Sequence, residues 1–119
     1  MIHLDHRDIR PIYTQIMDGI RQAVGTGILS PGEKLPSVRE LAAELAINPN
    51  TIQRAYRQLE LEGWIVSIPG KGSFVGSDQK AAEAEKRRLL EEFDQAVAGL
   101  RAFGLSEDAI IARIRKGGN

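Results

Sequence analysis

The stretch INPNTIQRAY, residues 47–56, carries a proline between two asparagines. Proline breaks the interior of a helix but is favoured at the first helical position, where its missing N–H has no partner to lose. Asn48 is a preferred N-cap residue, because its side chain accepts a hydrogen bond from an unpaired backbone N–H. Ile47 and Ile52 have the spacing of a hydrophobic staple. Pro49 therefore predicts the start of a helix, which ends near the next glycine.

Two more helices are predicted before this one. From Pro11 onward, apolar residues recur every four positions until two glycines stop the pattern. Ser37 and Glu40 have the spacing of a capping box, which opens the second helix. Two short helices joined by a tight turn describe a helix-turn-helix. The residues expected in the core are Ile12, Ile16, Ile20 and Val24 in the first helix, Val38, Leu41, Ala42 and Leu45 in the second, and Ile52, Ala55, Tyr56 and Leu59 in the third.

A hairpin and a different kind of helix follow. The β-favouring runs 64–68 and 73–75 flank the turn sequence PGKG, which predicts a β-hairpin. After Gly76 the composition shifts to Ala, Glu, Lys and Arg, and apolar residues recur in alternating steps of four and three, a pattern typical of helix–helix pairing. Gly104 ends this helix, and Ser106 can cap a last short one. The predicted pairing seam consists of Leu89, Phe93, Ala96, Leu100 and Phe103.

We therefore expect a mainly α fold with a small β-hairpin wing. A winged helix-turn-helix domain would occupy residues 1–76, and a two-helix C-terminal dimerisation or regulatory segment would occupy residues 77–119. The seam has two readings, since it can pack on the first domain of its own chain or pair with a second chain. A segment of about 40 residues can barely bury a core alone, so pairing into a homodimer is favoured.

Charge and composition limit the function classes. The net charge is +0, and residues 1–75 and 76–119 each hold eight basic and eight acidic residues. Because a nucleic-acid binder often shows a basic excess, any case for DNA rests on where the charges point. Without cysteine, disulfides and thiolate metal sites are excluded, which fits the cytoplasm. No apolar run is long enough for a membrane span, and MIHLDHRD leads into no apolar segment of a signal peptide.

Neither an enzyme nor a metal site is expected. His3 and His6 are the only histidines, and they lie in residues 1–10, which we expect to be a loose polar lead-in. Acidic pairs such as Glu91/Glu92 lie on predicted helices as solvated faces. No nucleophile–base arrangement is evident, so no catalytic residue and no cofactor are predicted.

The outward face of the third helix carries side chains suited to DNA. Asn and Gln can bond the edge of adenine, and Arg can bond guanine or phosphate. The free N–H groups and positive dipole end at the helix N-terminus also favour phosphate. At about 100° per residue, the residues opposite the core face are Asn50, Gln53, Arg54 and Arg57.

Two cations outside this helix extend the pattern. Arg39 lies in the first turn of the second helix and Lys71 at the hairpin tip, where both can reach a DNA backbone. For one helix alone, an ordinary solvated face is the better explanation, but the combined set favours DNA binding. The alternative from another class is a winged-helix protein–protein adaptor, which would more naturally expose an apolar patch.

The motifs LPSVRELA, NPNT-x-x-RAY, LE-x-EGW and GKGSFV occur between residues 11 and 75. In order and spacing they closely resemble the DNA-binding domain of GntR-family bacterial transcription regulators. The short helical remainder, with AFGLS at residues 102–106, looks like the YtrA-type subfamily, in which about two helices replace a large effector domain. Pro49 and Gln53 depart from the commoner family pattern, so the resemblance does not determine a base preference.

The resemblance implies roles for individual residues. Arg39 matches a family arginine that contacts phosphate or guanine. Gly72 matches the wing-tip glycine that approaches the minor groove, with Lys71 beside it. The residues that match the first turns of the recognition helix in the major groove are Asn50, Thr51, Gln53 and Arg54.

These expectations combine into one function. The chain is expected to be a dimeric repressor of transcription that binds an inverted-repeat operator in double-stranded DNA. Release by a small-molecule effector of unknown identity and the absence of any effector are both left open, and activation remains an alternative to repression. Two recognition helices separated by one DNA turn, ~34–36 Å, would read the two half-sites. A membrane partner is not expected.

Overall fold

Residues 2–117 are described by a computed structural model of the chain. The elements among them are α1 (Ile12–Gly25), α2 (Val38–Leu45), α3 (Pro49–Leu61), β1 (Ile65–Ile68), β2 (Gly72–Val75), α4 (Lys80–Ala102) and α5 (Glu107–Gly117). This order confirms the predicted mainly helical class with a hairpin wing. The chain divides into two compact units between Glu83 and Ala84, inside α4. The predicted domain limits at residues 1 and 119 lie outside the described residues.

The core of the first unit forms around α3, which packs against α1, α2 and β1. Leu59 is fully buried, and Ala55 and Ile52 beside it are equally inaccessible to solvent. Trp64 and Val75 bring the hairpin into the same cluster. The predicted core residues Ile12, Val38 and Leu45 are only partly buried, at the edge of that cluster.

Local capping explains where the helices begin. The capping box of α2 is complete: the Glu40 N–H donates to Ser37 Oγ at 3.0 Å, and the Ser37 N–H donates to Glu40 Oε1 at 3.2 Å. The Asn50 N–H donates to Asn48 Oδ1 at 2.8 Å, with Pro49 in the first turn of α3. Both predicted helix starts are confirmed. The apolar pattern predicted Pro11 in the first turn of α1, but Pro11 is the N-cap residue, and the helix begins at Ile12.

The hairpin is held between its strands and along the outer edge of β2. Its two strands are antiparallel, with Ile65 opposite Val75 and Ile68 opposite Gly72. On the outer edge of β2, the Leu35 N–H donates to the Ser73 carbonyl at 2.8 Å, and the Val75 N–H donates to the Glu33 carbonyl at 2.8 Å. The connector between α1 and α2 therefore fixes the wing against the helical core.

The N-terminal segment is attached to α1, which corrects the expectation that residues 1–10 form a loose lead-in. Ile2 and Leu4 pack against the core cluster. Gln15 is only 5% exposed, and its side chain accepts from the Asp5 N–H at 2.8 Å and donates to the Asp5 carbonyl at 3.1 Å and the Arg10 carbonyl at 3.3 Å. A search for helical spacing misses these apolar residues, because they alternate with polar ones.

None of the helices in the described part of the chain is a candidate membrane span. Within residues 2–117, no helix combines the length and the apolar character needed to cross a bilayer.

Replacing Gln15 with Leu should loosen the N-terminal segment. The variant loses three hydrogen bonds, and we expect a stability loss of about 1–3 kcal/mol together with faster trypsin cleavage after Arg7. Gln22→Leu is the matched control, because Gln22 is an exposed glutamine of the same helix. Timed proteolysis followed by mass spectrometry measures the cleavage rates. Equal rates in the two variants would show that Gln15 does not hold the segment.

Candidate nucleic-acid interface

The exposed face of α3 carries the residues that the sequence singled out. Asn50, Gln53, Arg54 and Arg57 are all exposed, while Thr51 is half-buried in the first turn of the helix. Their exposure follows from the burial of the opposite face of α3 in the core. The helix therefore presents amide and guanidinium donors to solvent.

Tyr56 helps to fix the position of α3 relative to α2. Its ring is buried, and its hydroxyl donates to the Pro36 carbonyl at 2.7 Å, immediately before the capping box. Burial raises the pKa of the phenol above its ordinary value of 10.0, and the charges of Glu40 and Glu44 raise it further. Tyr56 is therefore neutral throughout the physiological range and acts as a hydrogen-bond donor to the turn before α2.

A groove of about 520 Å³ lies between α3 and the hairpin. Gln53 and Arg57 line it from the helix, and Gly70 and Gly72 line it from the wing. The hairpin tip carries Lys71, which is exposed. The structure thus brings three of the predicted residues, Gln53, Arg57 and Gly72, together along one concave surface.

Gly72 has a backbone conformation that favours glycine. Its φ is +120°, and a Cβ at this position would lie 3.0 Å from Lys34 Cε. A side chain here would therefore be strained by this backbone conformation, and the flexible end of Lys34 would have to shift by a few tenths of an ångström.

Arg54 lies on the opposite flank of α3 from this groove. Its guanidinium stacks over the ring of Tyr13, 3.7 Å from the ring centroid. Together with Thr14 and Gln58, these two residues line a smaller groove of about 300 Å³ between α1 and α3. The predicted site residues are therefore divided: Gln53 and Arg57 face the wing, and Arg54 faces α1.

Although the net charge is zero, several acidic residues of the first unit are paired within the chain, whereas some basic residues are not. Asp18 forms ion pairs with Arg10 at 2.5 Å and with Arg21 at 3.1 Å, and Arg21 also binds Glu62 at 2.5 Å. Glu40 belongs to the capping box, where hydrogen bonding to the side chain and N–H of Ser37 lowers its pKa. Many acids of the first unit are thus engaged within the chain.

Several cations have no such partner. Among residues 2–117, the structure forms no ion pair to Arg39, Arg57 or Lys71, and all three are exposed. Arg39 projects from the first turn of α2, so the three cations come from three different elements. Unpaired guanidinium and ammonium groups next to amide donors suit a polyanion such as DNA.

Two residues of this surface were missed by sequence reasoning. Tyr13 comes from α1, and no local spacing connects it with Arg54. Glu60 lies on the wing side of α3, where its carboxylate accepts from the Ser67 N–H at 3.3 Å and from the Ser67 hydroxyl at 3.1 Å. Its position seven residues after Gln53 was a usable signal, because that spacing puts both on one face of a helix.

Metal ligation has no support in the described part of the chain. Residues 2–117 contain no group of three or more His, Asp, Glu or Cys side chains that could hold a metal ion.

Three helices with a hairpin beside the third, and unpaired donors along α3, define a winged helix-turn-helix protein. The profile of the family described as "Bacterial regulatory proteins, gntR family" matches residues 12–75. The chain therefore belongs to the GntR family and is a DNA-binding transcription regulator, not an enzyme.

The relatives extend the likeness beyond the winged domain. The chain is 42% identical over 107 residues to the HTH-type transcriptional repressor YtrA of Bacillus subtilis strain 168, a match that covers 88% of this chain and 82% of that protein. A crystal structure of a transcriptional regulator from Oenococcus oeni superposes with a TM-score of 0.77 at 35% identity, covering 98% of both chains. These matches confirm the YtrA-type resemblance.

A structure with bound DNA is also similar. The DNA-binding domain of AraR in complex with operator ORE1 superposes with a TM-score of 0.55 at 28% identity, over 64% of this chain and 93% of that one. That domain has the same fold and holds operator DNA.

Replacing Tyr56 with Phe should remove the tie to the Pro36 carbonyl and cost about 1 kcal/mol of unfolding free energy near pH 7. The pKa of Tyr56 is higher in the folded state than in the unfolded state. Its contribution is therefore fully present below about pH 10 and decreases as the pH rises above that value. Urea unfolding of both proteins at pH 8 and 10.5 should show the difference between them shrinking at the higher pH. Tyr13→Phe is the control, and a pH-independent difference for Tyr56→Phe would contradict the prediction.

Proposed function

We propose that this protein is a homodimeric repressor that binds an inverted-repeat operator, with α3 in the major groove and the hairpin wing beside it. One observation carries the proposal: unpaired donors on α3 continue into a groove shared with the wing. The similar protein YtrA of Bacillus subtilis is a transcriptional repressor, and the similar DNA-binding domain of AraR is bound to an operator. Occupation of promoter DNA, which excludes polymerase, is the proposed means of repression.

The proposal divides the contacts between bases and backbone. Asn50, Gln53 and Arg57 are assigned to base edges or to the adjacent backbone, because they are exposed along the helix face that would enter the groove. Arg39 and Lys71 are assigned to phosphates on either side. The remaining assigned contacts are Thr51 in the first turn of α3, Arg54 on its α1 flank, and Gly72, whose lack of a side chain permits close approach of the wing.

Dimerisation is supported by the exposed apolar seam of α4. Leu89, Phe93 and Leu100 are each about half exposed, and Phe103 is 95% exposed. Leu89, Phe93, Ala96 and Leu100 share one face of α4 at about 100° per residue, and Phe103 follows directly after the last residue of the helix, Ala102. Apolar residues in alternating steps of four and three suit a partner helix, and burying them removes apolar surface from water. A second copy of this chain is the proposed partner.

Control by an effector is assigned to the interface of the two copies. Ligand pockets usually occupy ~300–1,000 Å³, and a segment of two helices offers little room for one in a single chain. Pairing of two such segments would enclose more space. Such a protein would act in the cytoplasm, where its operator is accessible.

Selection from a random duplex pool at two salt concentrations, followed by sequencing, tests the proposed function directly. Recovery of an inverted repeat, with weaker binding at higher salt, is the expected result. If no motif is retained even at low salt, the repressor proposal fails, and the protein–protein adaptor becomes the better account of the wing and helix surface.

Lys71→Ala and Gln53→Ala should behave differently on the selected operator. Loss of a phosphate contact by Lys71→Ala should weaken binding to all sequences alike and reduce the salt slope by about one. Loss of a base contact by Gln53→Ala should cost about 1–3 kcal/mol and relax specificity at one position. Fluorescence anisotropy with the operator and with a shuffled duplex measures both effects. Arg87→Ala is the control, because it removes an exposed cation of α4 outside the interface.

Leu100→Glu should disrupt the dimer, because it introduces a charge into the apolar seam. Ala98→Glu is the matched control: Ala98 is also exposed, but helical geometry puts it on the opposite face of α4. Light scattering coupled to size-exclusion chromatography should give half the wild-type mass for Leu100→Glu and an unchanged mass for Ala98→Glu. A monomeric wild-type protein at micromolar concentration would refute the dimer.

A further inference from the structure

We propose that Tyr13 is a positioning residue for Arg54: by stacking under the guanidinium, it holds Arg54 toward the DNA backbone beside the groove and away from the base edges. This inference rests on the proposed DNA binding. It adds a residue of α1 to an interface otherwise formed by α2, α3 and the wing, and it assigns Arg54 a backbone contact.

The first step is the geometry of the stack. The guanidinium of Arg54 lies 3.7 Å from the centroid of the Tyr13 ring, well inside the distance at which a cation is attracted to an aromatic face. Tyr13 is itself partly buried and packs against the core cluster. The ring is therefore a fixed surface, and the flexible arginine side chain is ordered by it.

The second step is that none of the acids in the described part of the chain pairs with Arg54. Glu62 lines the same groove between α1 and α3. Its Oε1 accepts from Arg21 at 2.5 Å, and its Oε2 accepts from Gln58 at 3.0 Å. Burial opposes the charge of Glu62, but these hydrogen bonds prevail and lower its pKa, so it stays ionised and occupied.

The donors of Arg54 consequently remain available. Within residues 2–117, the structure forms neither a hydrogen bond nor an ion pair to its guanidinium, which stacks on the ring face of Tyr13. Stacking leaves the in-plane N–H groups free, and a planar fork of such donors matches two oxygens of one phosphate. The ligand class assigned to this pair is the phosphodiester backbone of DNA.

The third step is the position on α3. Gln53 and Arg57 line the groove on the wing side, whereas Arg54 and Gln58 line the groove on the α1 side. A side chain held on that flank is directed away from the middle of the helix face. Arg54 should therefore contact the backbone that borders the major groove, where it contributes affinity without sequence preference.

A double-mutant cycle on the full chain tests the pair. The proteins are wild type, Tyr13→Phe, Tyr13→Leu, Arg54→Ala and the Tyr13→Leu/Arg54→Ala double variant. Each is titrated by fluorescence anisotropy against the selected operator and a shuffled duplex at two salt concentrations. Wild-type selection of an operator is established first, so failure of DNA binding itself is distinguished from failure of this inference.

The expected pattern is specific. Tyr13→Phe keeps the aromatic face and should bind like wild type, whereas Tyr13→Leu should weaken binding to both duplexes by about three- to tenfold. Arg54→Ala should also weaken both duplexes alike and reduce the salt slope by about one. In the Arg54→Ala background, Tyr13→Leu should have no further effect, because the group that it positions is gone.

Three results would overturn the inference. The first is a Tyr13→Leu variant that binds DNA with wild-type affinity. The second is a Tyr13→Phe variant that loses as much affinity as Tyr13→Leu. The third is a double variant in which Tyr13→Leu lowers the affinity of Arg54→Ala by as much as it lowers that of wild type. A loss confined to the operator in Arg54→Ala would overturn the backbone assignment.

A measurement without DNA keeps the test valid if Tyr13→Leu folds poorly. The Arg54 Nε–H proton over an aromatic ring should show an upfield ring-current shift in NMR spectra. We expect this shift in wild type and in Tyr13→Phe and its absence in Tyr13→Leu or, as a milder substitution, Tyr13→Met. The same proton position in all these proteins would show that the stack does not form.

Discussion

Burial of one face of α3 is the constraint on which the rest of the structure depends. Ile52, Ala55 and Leu59 are inaccessible to solvent because α1 and α2 close over them and Trp64 and Ile65 follow directly into the same cluster. Once that face is buried, helical geometry leaves the donor-bearing face in solvent. The same burial anchors β1 next to α3, so the groove between helix and wing results from core packing.

Charge in this protein acts through its distribution, since the net charge is +0. Ion pairs join α1 to the N-terminal segment and to the end of α3 through Arg10 and Arg21. These pairs neutralise the charges of Arg10 and Arg21. Among the described residues, Arg39, Arg57 and Lys71 form no ion pair. Unpaired cations on a neutral protein are how a chain without basic excess can still suit a polyanion.

Local sequence rules predicted the elements well and their contacts less well. The capping residues Ser37 and Asn48 and the hairpin turn were readable, because each acts within a few positions of the chain. The attachment of the N-terminal segment was not predicted, because the side chain of Gln15 bonds the backbone N–H and carbonyl of Asp5. Backbone groups of this kind are present whatever the residue type, so no sequence pattern marks the contact. Glu60 was overlooked as an acid that faces the wing, although its spacing from Gln53 marked that side of the helix.

By itself, the sequence determined the helix starts, the hairpin, the apolar faces and the family, because periodicity, capping and turn chemistry are local and are written in consecutive residues. Only the tertiary structure decided which donors stay free and on which flank each one lies. Arg54 illustrates the difference: its exposure follows from the period of α3, but its stack on Tyr13 depends on how α1 packs against α3. Such contacts join residues far apart in the chain, and their geometry is determined by the packing of the whole core rather than by any spacing within one element.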